Sequence, residues 1–284
     1  MIVILAVGNP AYGQFAHNLA ISIKHHCNLP MQLIYDAKAV VDTDMSLFDV
    51  VTEMRPEHCY MGNKVMPGKA KLNIYEYLAF DECLYLDADT LVIRDLSGLK
   101  FEKYYQAEIN GTGTVNDEKW GDEMVWATPK KIAEYYDLDG KAIPFINTSY
   151  QFIRKGKEAE ELYRNALANL ENAIPYKEHL REWGRRIPTA QPDELYMDVA
   201  CAQVDHNPSG ESLIYFRPNR TVGKETADIF KEHYAIGYYC SLEFNHKSIY
   251  TIYDTEMRKY CAAAGRHHTF TINNLMRNKF IKRG

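Results

Sequence analysis

The chain has 284 residues, a formal net charge of -5, 46% hydrophobic and 25% charged residues. These values exclude a disordered, collagen-like or coiled-coil chain, and a chain this long fills a core without disulfide or metal staples. The acidic balance excludes a broadly DNA-coating surface but not a local basic patch. In chain order, Ile2–Val7 is an unbroken apolar run that stops at Gly8-Asn9-Pro10, the pattern of a buried parallel strand followed by a loop. Phe15, Ala16, Leu19, Ala20 and Ile23 recur at helical spacing. Met31–Tyr35 and Phe48–Thr52 read as the second and third strands. Ala70, Ile74, Tyr77 and Leu78 make another amphipathic helix, and Glu82–Leu86 is a strand running straight into Asp87-Ala88-Asp89. Strands alternating with helices predict βαβ units, hence an α/β fold with a mostly parallel, Rossmann-like sheet flanked by helices.

The middle of the chain is less regular. Residues 110–125 are polar and contain glycine, and read as a loop or lid. Pro129–Tyr136 is a short helix with proline at its start. Phe145–Ile153 returns to strand, Ala159 to Leu170 carries a clean helical stripe, and Pro192–Gln203 is a further helix. From residue 204 the chain is rich in Tyr, Phe and Asn with weaker patterning. The aromatics Tyr234, Tyr238, Tyr239, Phe244, Tyr250 and Tyr253 there are candidates for an acceptor groove or for core.

The six cysteines have no C-x-x-C spacing, and Cys27 and Cys83 read as buried free thiols. No stretch approaches the ~20 apolar residues of a membrane helix, and the Met1 end lacks a signal pattern. The expected location is cytoplasmic, with peripheral membrane attachment as an option. Charge is uneven: residues 255–284 hold seven basic residues and one acid, a net of +6, so the other 254 residues carry -11. The basic residues of 266–284 alternate with Phe270, Ile272, Leu275, Met276, Phe280 and Ile281. Such a segment suits an anionic membrane surface or nucleic-acid phosphates, or else is a solvated tail. We therefore expect a single body over 1–254, in two halves, 1–100 and 101–254. A basic tail follows over 255–284.

The central chemical signal is Leu84-Tyr-Leu-Asp87-Ala-Asp89-Thr-Leu-Val-Ile93. Carboxylates two residues apart on an extended chain point to one side. At a strand's carboxyl end they lie where open α/β sheets bind ligands. Paired hard oxygens there suit Mn2+ or Mg2+ carrying a diphosphate, and the plain alternative is a polar turn. The longer stretch Lys69-Ala-Lys71-Leu through Asp87-Ala-Asp89-Thr-Leu-Val-Ile-Arg-Asp-Leu96 resembles family 8 glycosyltransferases, the glycogenin and galactosyltransferase group. Phe145-Ile-Asn147-Thr-Ser resembles that family's F-N-S/T-G strand, and Gln191-Pro-Asp193-Glu194-Leu resembles its D-Q block. The likeness spans roughly residues 1–203.

The resemblance implies a GT-A fold, with a nucleotide-binding half over 1–100 and a sugar and acceptor half over 101–254, and a hexosyltransferase that uses a UDP-sugar, Mn2+ (or Mg2+) and retention at the anomeric carbon. It implies Asp87 and Asp89 as metal carboxylates, Lys71 as a donor contact, and Asn147 and Asp193 as sugar-pocket residues. The loop Ala6, Val7, Asn9 and Tyr12, together with Ala88, would hold the nucleotide. His233, in His233-Tyr-Ala-Ile-Gly237, is the nearest match to the family's third metal ligand, although the K-P-W that follows in the family is missing. The glycine after the family's N-S/T is also replaced, which leaves the donor sugar open. Each residue has a simpler reading as well: Lys71 as a solvated lysine, Asn147 bonding backbone, Asp193 as a helix N-terminal residue. His25-His26 read as partners of a helix C-terminus and His267-His268 as solvated. Two other functions compete. A sugar-nucleotide pyrophosphorylase would need a basic residue in the Gly8–Gly13 loop, which has none. A non-catalytic nucleotide- or carbohydrate-binding protein on a GT-A scaffold is the alternative that stands.

Overall fold

The computed structural model describes residues 1–41, 43–118, 127–173, 192–210, 212–215, 226–237 and 247–268. In chain order the elements are β1 (Ile2–Ala6), α1 (Pro10–His26), β2 (Met31–Tyr35), β3 (Val50–Glu53), α2 (Pro56–Cys59), β4 (Tyr60–Met61), β5 (Lys64–Val65), α3 (Pro67–Leu72) and α4 (Ile74–Tyr77). There follow β6 (Glu82–Asp87), β7 (Thr90–Val92), β8 (Tyr105–Gly113), α5 (Pro129–Tyr136), β9 (Ile143–Arg154), α6 (Lys157–Glu171) and α7 (Asp193–Gln203). The last are β10 (Ile214–Tyr215), α8 (Thr226–Glu232), β11 (Ala235–Gly237) and α9 (Lys247–Ala263). Six strands form a sheet in the order β3-β2-β1-β6-β9-β8, and β10-β11-β7 form a smaller one.

The chain divides into two compact units: residues 1–55, 84–100 and 212–284, and residues 56–83 and 101–211. Both are assembled from separated stretches, unlike the contiguous halves expected from the sequence. The expected boundary at 254/255 falls inside α9.

In the first unit, β1 pairs in parallel with both β2 and β6, and β2 with β3. Every residue of β1 is buried, as its apolar run requires. Helix α1 starts on Asn9, whose side chain accepts from the Ala11 amide, with Pro10 at its first position. It buries Phe15, Leu19 and Ile23. Gly13 lets the following loop approach: a Cβ there would lie 2.0 Å from the Ala39 carbonyl oxygen. Helix α9 buries Tyr253, Met257, Tyr260 and Cys261, a stripe at helical spacing that marks the helix in the sequence as well. The Tyr253 hydroxyl accepts from Asn18 Nδ2 at 2.7 Å, and Tyr253 meets Phe15 edge to face.

In the second unit, β8 and β9 pair antiparallel with two register shifts. The first four residues of the expected 110–125 loop are therefore strand: Asn110-Gly-Thr-Gly113 looks unstructured until β9 supplies its partner. Residues 119–125 of that segment lie outside the described residues. The helix expected across Ala70–Leu78 is split at Asn73, whose Nδ2 bonds the Lys69 carbonyl at 2.8 Å and competes with the helix ladder. Helices α5, α6 and α7 sit where the periodicity predicts them.

Candidate functional site

In the first unit, the register Leu5↔Asp87 sets Asp87 at the carboxyl edge of the parallel strands, beside the loop that leaves β1. The strand ends there, and Ala88 and Asp89 form a turn into β7. Asp87 and Asp89 are half-buried and Ala88 is buried. Tyr85, 2% exposed and two residues back on the same face, donates its hydroxyl to Asp87 Oδ1 at 2.6 Å. The Thr90 hydroxyl, one residue past Asp89, is buried without a hydrogen-bond partner among the described residues.

The β1 loop is held by a residue that the sequence reading missed. Asp36, just past β2, is 5% exposed. Its Oδ2 accepts from the Gly8 amide at 3.1 Å and its Oδ1 from the Ala39 amide at 2.8 Å. Its signal in the sequence is an acid directly after an apolar run. Gly8 has φ +80°, a conformation glycine adopts without steric cost. Of the loop residues expected to hold a nucleotide, Ala6 and Val7 have buried side chains and Asn9 spends its oxygen on capping α1. Tyr12 is half-buried in the first turn of α1.

The donor set suits a hard divalent cation in part. One or two carboxylates plus substrate phosphates are an ordinary Mg2+ environment, and Asp87 and Asp89 are such carboxylates. The orphaned Thr90 hydroxyl beside them is consistent with a polar ligand there. His233 is not brought to this pair. Strand β11 runs antiparallel to β7 with Thr90↔Gly237 and Val92↔Ala235. Asp89 therefore lies off one end of the ladder and His233 beyond the other, more than about 10 Å away at ~3.3 Å per residue. The Tyr234 carbonyl accepts from the amides of Ile93 and Arg94, which pins His233 at that far end. The expectation that His233 is the third ligand is corrected: the short match H-Y-A-I-G precedes the strand that would have to carry it to Asp89. Among the described residues no three His, Cys, Asp or Glu side chains gather to hold a metal.

In the second unit, three chain-distant residues converge. Lys71 comes from the last turn of α3, Thr148 from the middle of β9, and Asp193 opens α7. Lys71 Nζ lies 3.3 Å from Asp193 Oδ2 and 3.3 Å from Thr148 Oγ1. The Thr148 hydroxyl donates to Asp193 Oδ2 at 2.5 Å. The Lys71 and Asp193 side chains are 13% and 11% exposed, so Lys71 is not a solvated lysine. Burying this ion pair carries a desolvation cost, which the hydroxyl helps offset with a hydrogen bond to the charged oxygen. Asn147, by contrast, uses its Oδ1 on the Ser149 amide at 3.0 Å, the simpler of its two readings.

Asp198 follows Asp193 by five residues on α7. Its Oδ1 accepts from the Ile146 amide at 2.9 Å, and Oδ2 is buried without a partner among the described residues. Burial pushes its carboxyl well above the usual carboxylate range, with Glu194 and Asp193 adding to the effect and the Ile146 amide opposing it.

Other expectations resolve individually. Cys83 is buried but Cys27 is only half-buried, at the C-terminal end of α1. His25 and His26 close α1 as expected, and both also pack on Tyr260. His268 is not solvated: its side chain is 4% exposed and lies 3.5 Å from Asp254. Arg266 bonds Asp44 at 2.7 Å, so residues 266–268 belong to the folded unit, while 269–284 lie outside the described residues. Tyr253 is core. Tyr234 packs beneath the Arg94 guanidinium at 4.4 Å. Tyr238, Tyr239 and Phe244 lie outside the described residues. No helix among those residues is long and apolar enough to cross a membrane.

No protein-family profile and no curated protein matches the chain. Solved structures do. The galactosyltransferase LgtC, in complex with donor and acceptor sugar analogues, aligns with a TM-score of 0.56 at 13% identity, over 96% of this chain and 98% of its own. An active-site mutant of LgtC aligns with a TM-score of 0.55 at 13% identity, over 96% and 98%. The bifunctional glycosyltransferase WbbM in its apo form gives 0.55 at 12%, over 91% of this chain and 51% of that one. The mixed α/β architecture, with its central and mostly parallel sheet, is thus the GT-A fold of these glycosyltransferases.

Proposed function

We propose that the protein is a glycosyltransferase that moves a hexose from a UDP-sugar to an acceptor, with Mn2+ or Mg2+ and with retention at the anomeric carbon. The observation that carries the reading is the half-buried Asp87-Ala88-Asp89 turn at the carboxyl edge of β1 and β6. Asp87 and Asp89 would hold the ion, which supplies positive charge against the departing diphosphate. The β1 loop offers backbone groups and Tyr12 to the nucleotide. Lys71 contributes a cation that is already oriented, so little reorganisation is needed as charge develops. The Asp193 carboxylate stabilises positive charge at the oxocarbenium-like carbon. Asn147, tied to the Ser149 amide, contributes to the shape of the sugar pocket through its neighbour Thr148. The acceptor is left to experiment, with a lipid-linked saccharide and a modified base in nucleic acid as the two classes that a basic segment over 266–284 would suit.

The test is thermal stability with UDP. Paired carboxylates repel a bare diphosphate and the ion reverses that sign, so UDP should raise the melting temperature with Mn2+ and not in excess chelator. Equal stabilisation in chelator rejects the ion-bridge reading. A second reading is a nucleotide-binding protein without catalysis, favoured by the distance of His233 from Asp89. Mn2+-dependent hydrolysis of UDP-hexoses excludes it.

A further inference from the structure

We propose that Thr148 is the positioning residue of the Asp193 carboxylate: its hydroxyl fixes Oδ2, holds it against Lys71 and leaves Oδ1 for the sugar. The inference rests on the role given to Asp193 above. Nothing in the sequence reading singled out Thr148, which merely follows Asn147.

A threonine hydroxyl has one proton to give and lone pairs to accept with. Here the hydroxyl donates to Asp193 Oδ2 with an O···O distance of 2.5 Å, and Lys71 Nζ donates to the same hydroxyl oxygen at 3.3 Å. Lys71 Nζ also lies 3.3 Å from Asp193 Oδ2. The three groups close a triangle in which only Thr148 touches both charges without carrying one. Oδ1 of Asp193 has no hydrogen bond among the described residues. One oxygen is thus tied down and the other is left over, as a carboxylate that must face a fixed point in a substrate requires.

Thr148 is in turn held from behind. It is fully buried, and its branched Cβ restricts the χ1 rotation that would swing the hydroxyl away. Its carbonyl oxygen accepts from Gln151 Nε2 at 3.3 Å. Gln151 Oε1 accepts from the hydroxyls of Tyr105 at 3.2 Å and Tyr163 at 2.8 Å. Gln151 is 1% exposed, so the chain of bonds runs inward from the charged pair to the core of the unit. Asp193 needs such support. As the opening residue of α7, behind a proline that caps nothing, its short side chain has the first-turn amides as competing partners. The hydroxyl of Thr148 draws it to β9 instead.

Two variants separate this role from simple packing. Thr148→Val keeps the shape and removes the hydroxyl, and Thr148→Ser keeps the hydroxyl; Thr148→Ala replaces the valine variant if that one does not fold. With UDP-galactose and Mn2+ as probe, Thr148→Val should lower kcat for donor hydrolysis by roughly 10- to 100-fold, the scale of a misplacement near 1 Å. KM should change less than about 3-fold and Thr148→Ser should recover most of the rate, because remote binding contacts stay intact. A crystal structure of Thr148→Val, which needs no turnover, should have Asp193 in another rotamer and its Oδ2 away from Lys71. Wild-type kcat in Thr148→Val, no recovery in Thr148→Ser, or an unmoved Asp193 in the crystal overturns the proposal. Hydrolysis by Asp193→Asn at the wild-type rate would instead overturn the role of Asp193, while the crystal structure still judges what Thr148 does.

Discussion

Asp193 in the second unit meets a cation that the protein supplies, Lys71, whereas Asp87 in the first unit accepts from the neutral hydroxyl of Tyr85. An ammonium neutralises the carboxylate and orients it before any substrate arrives. A phenol orients a carboxylate but leaves its negative charge in place, and Asp89 lies two residues away. The difference teaches that one kind of side chain is oriented in two ways, by a charged partner or by a neutral one. In the proposed function Asp193 faces the sugar, and Asp87 with Asp89 meets an ion that comes with the substrate.

The largest expected effects test this contrast directly. Asp89→Asn and Asp193→Asn should each lower UDP-hexose hydrolysis by at least about 100-fold, the scale of losing one preorganised charge-stabilising group. Only Asp89→Asn should also abolish the Mn2+-dependent melting shift with UDP. If Asp193→Asn loses the shift as well, the two clusters do not have separate roles.

Next in size is Tyr85→Phe, which deletes one hydroxyl from a buried ring. We expect Mn2+-dependent UDP affinity, measured by calorimetry, to fall about 10-fold, the lower end for loss of a group that orients a metal ligand. Unchanged affinity would mean that Asp87 needs no orienting donor.

The units should also respond oppositely to pH. Burial chiefly, with the nearby Arg266 charge, lowers the pKa of His17 below 6.5, against the pull of Asp44. The unfolded chain then binds that proton more readily, so stability is full above about pH 6.5 and is lost as pH falls below it. Replacing His17 with Gln should flatten the drop in melting temperature between pH 8 and pH 5.5. Asp198 has the reverse sign. Its carboxyl is raised above 3.8, so its contribution is present below that pH and is lost as pH rises. Asp198→Asn should therefore raise the melting temperature at pH 7 by about 2–4 °C, equivalent to roughly 1 kcal/mol in a chain of this size. Destabilisation of equal size at pH 4 and pH 7 would make Asp198 a packing residue only.

The smallest effect concerns Arg266 and Asp44. The two side chains are 37% and 35% exposed, so Arg266→Ala should cost about 0.2–1 kcal/mol, read as a shift of a few degrees. Deletion of 269–284 should leave that ion pair and the UDP shift intact.

Much of the fold was legible. The apolar run Ile2–Val7, the stripe Ala159–Leu170 and Pro129 all speak through local rules, because burial on one face leaves a period in the sequence. Strand β8 was not legible, since Asn110-Gly-Thr-Gly113 has little intrinsic preference for strand and pairs only because β9 lies beside it. The site divides in the same way. Asp87, Asp89, Lys71 and Asp193 stand out as candidates by pattern and resemblance. Asp36 and Thr148 do not, because their work is to hold other residues, through contacts 28 and 45 positions apart in the chain.

By itself, the sequence determined the alternation of strands and helices, the order of the acidic motifs and the residues that carry charge. Those are properties of short windows, set by hydrophobic period and residue chemistry. Only the tertiary structure decided that His233 sits at the wrong end of β7 and that Lys71, Thr148 and Asp193 meet. The physical reason is range. A hydrogen bond or ion pair acts over about 3 Å, and which side chains come that close is set by strand register and helix packing between segments that the sequence keeps far apart.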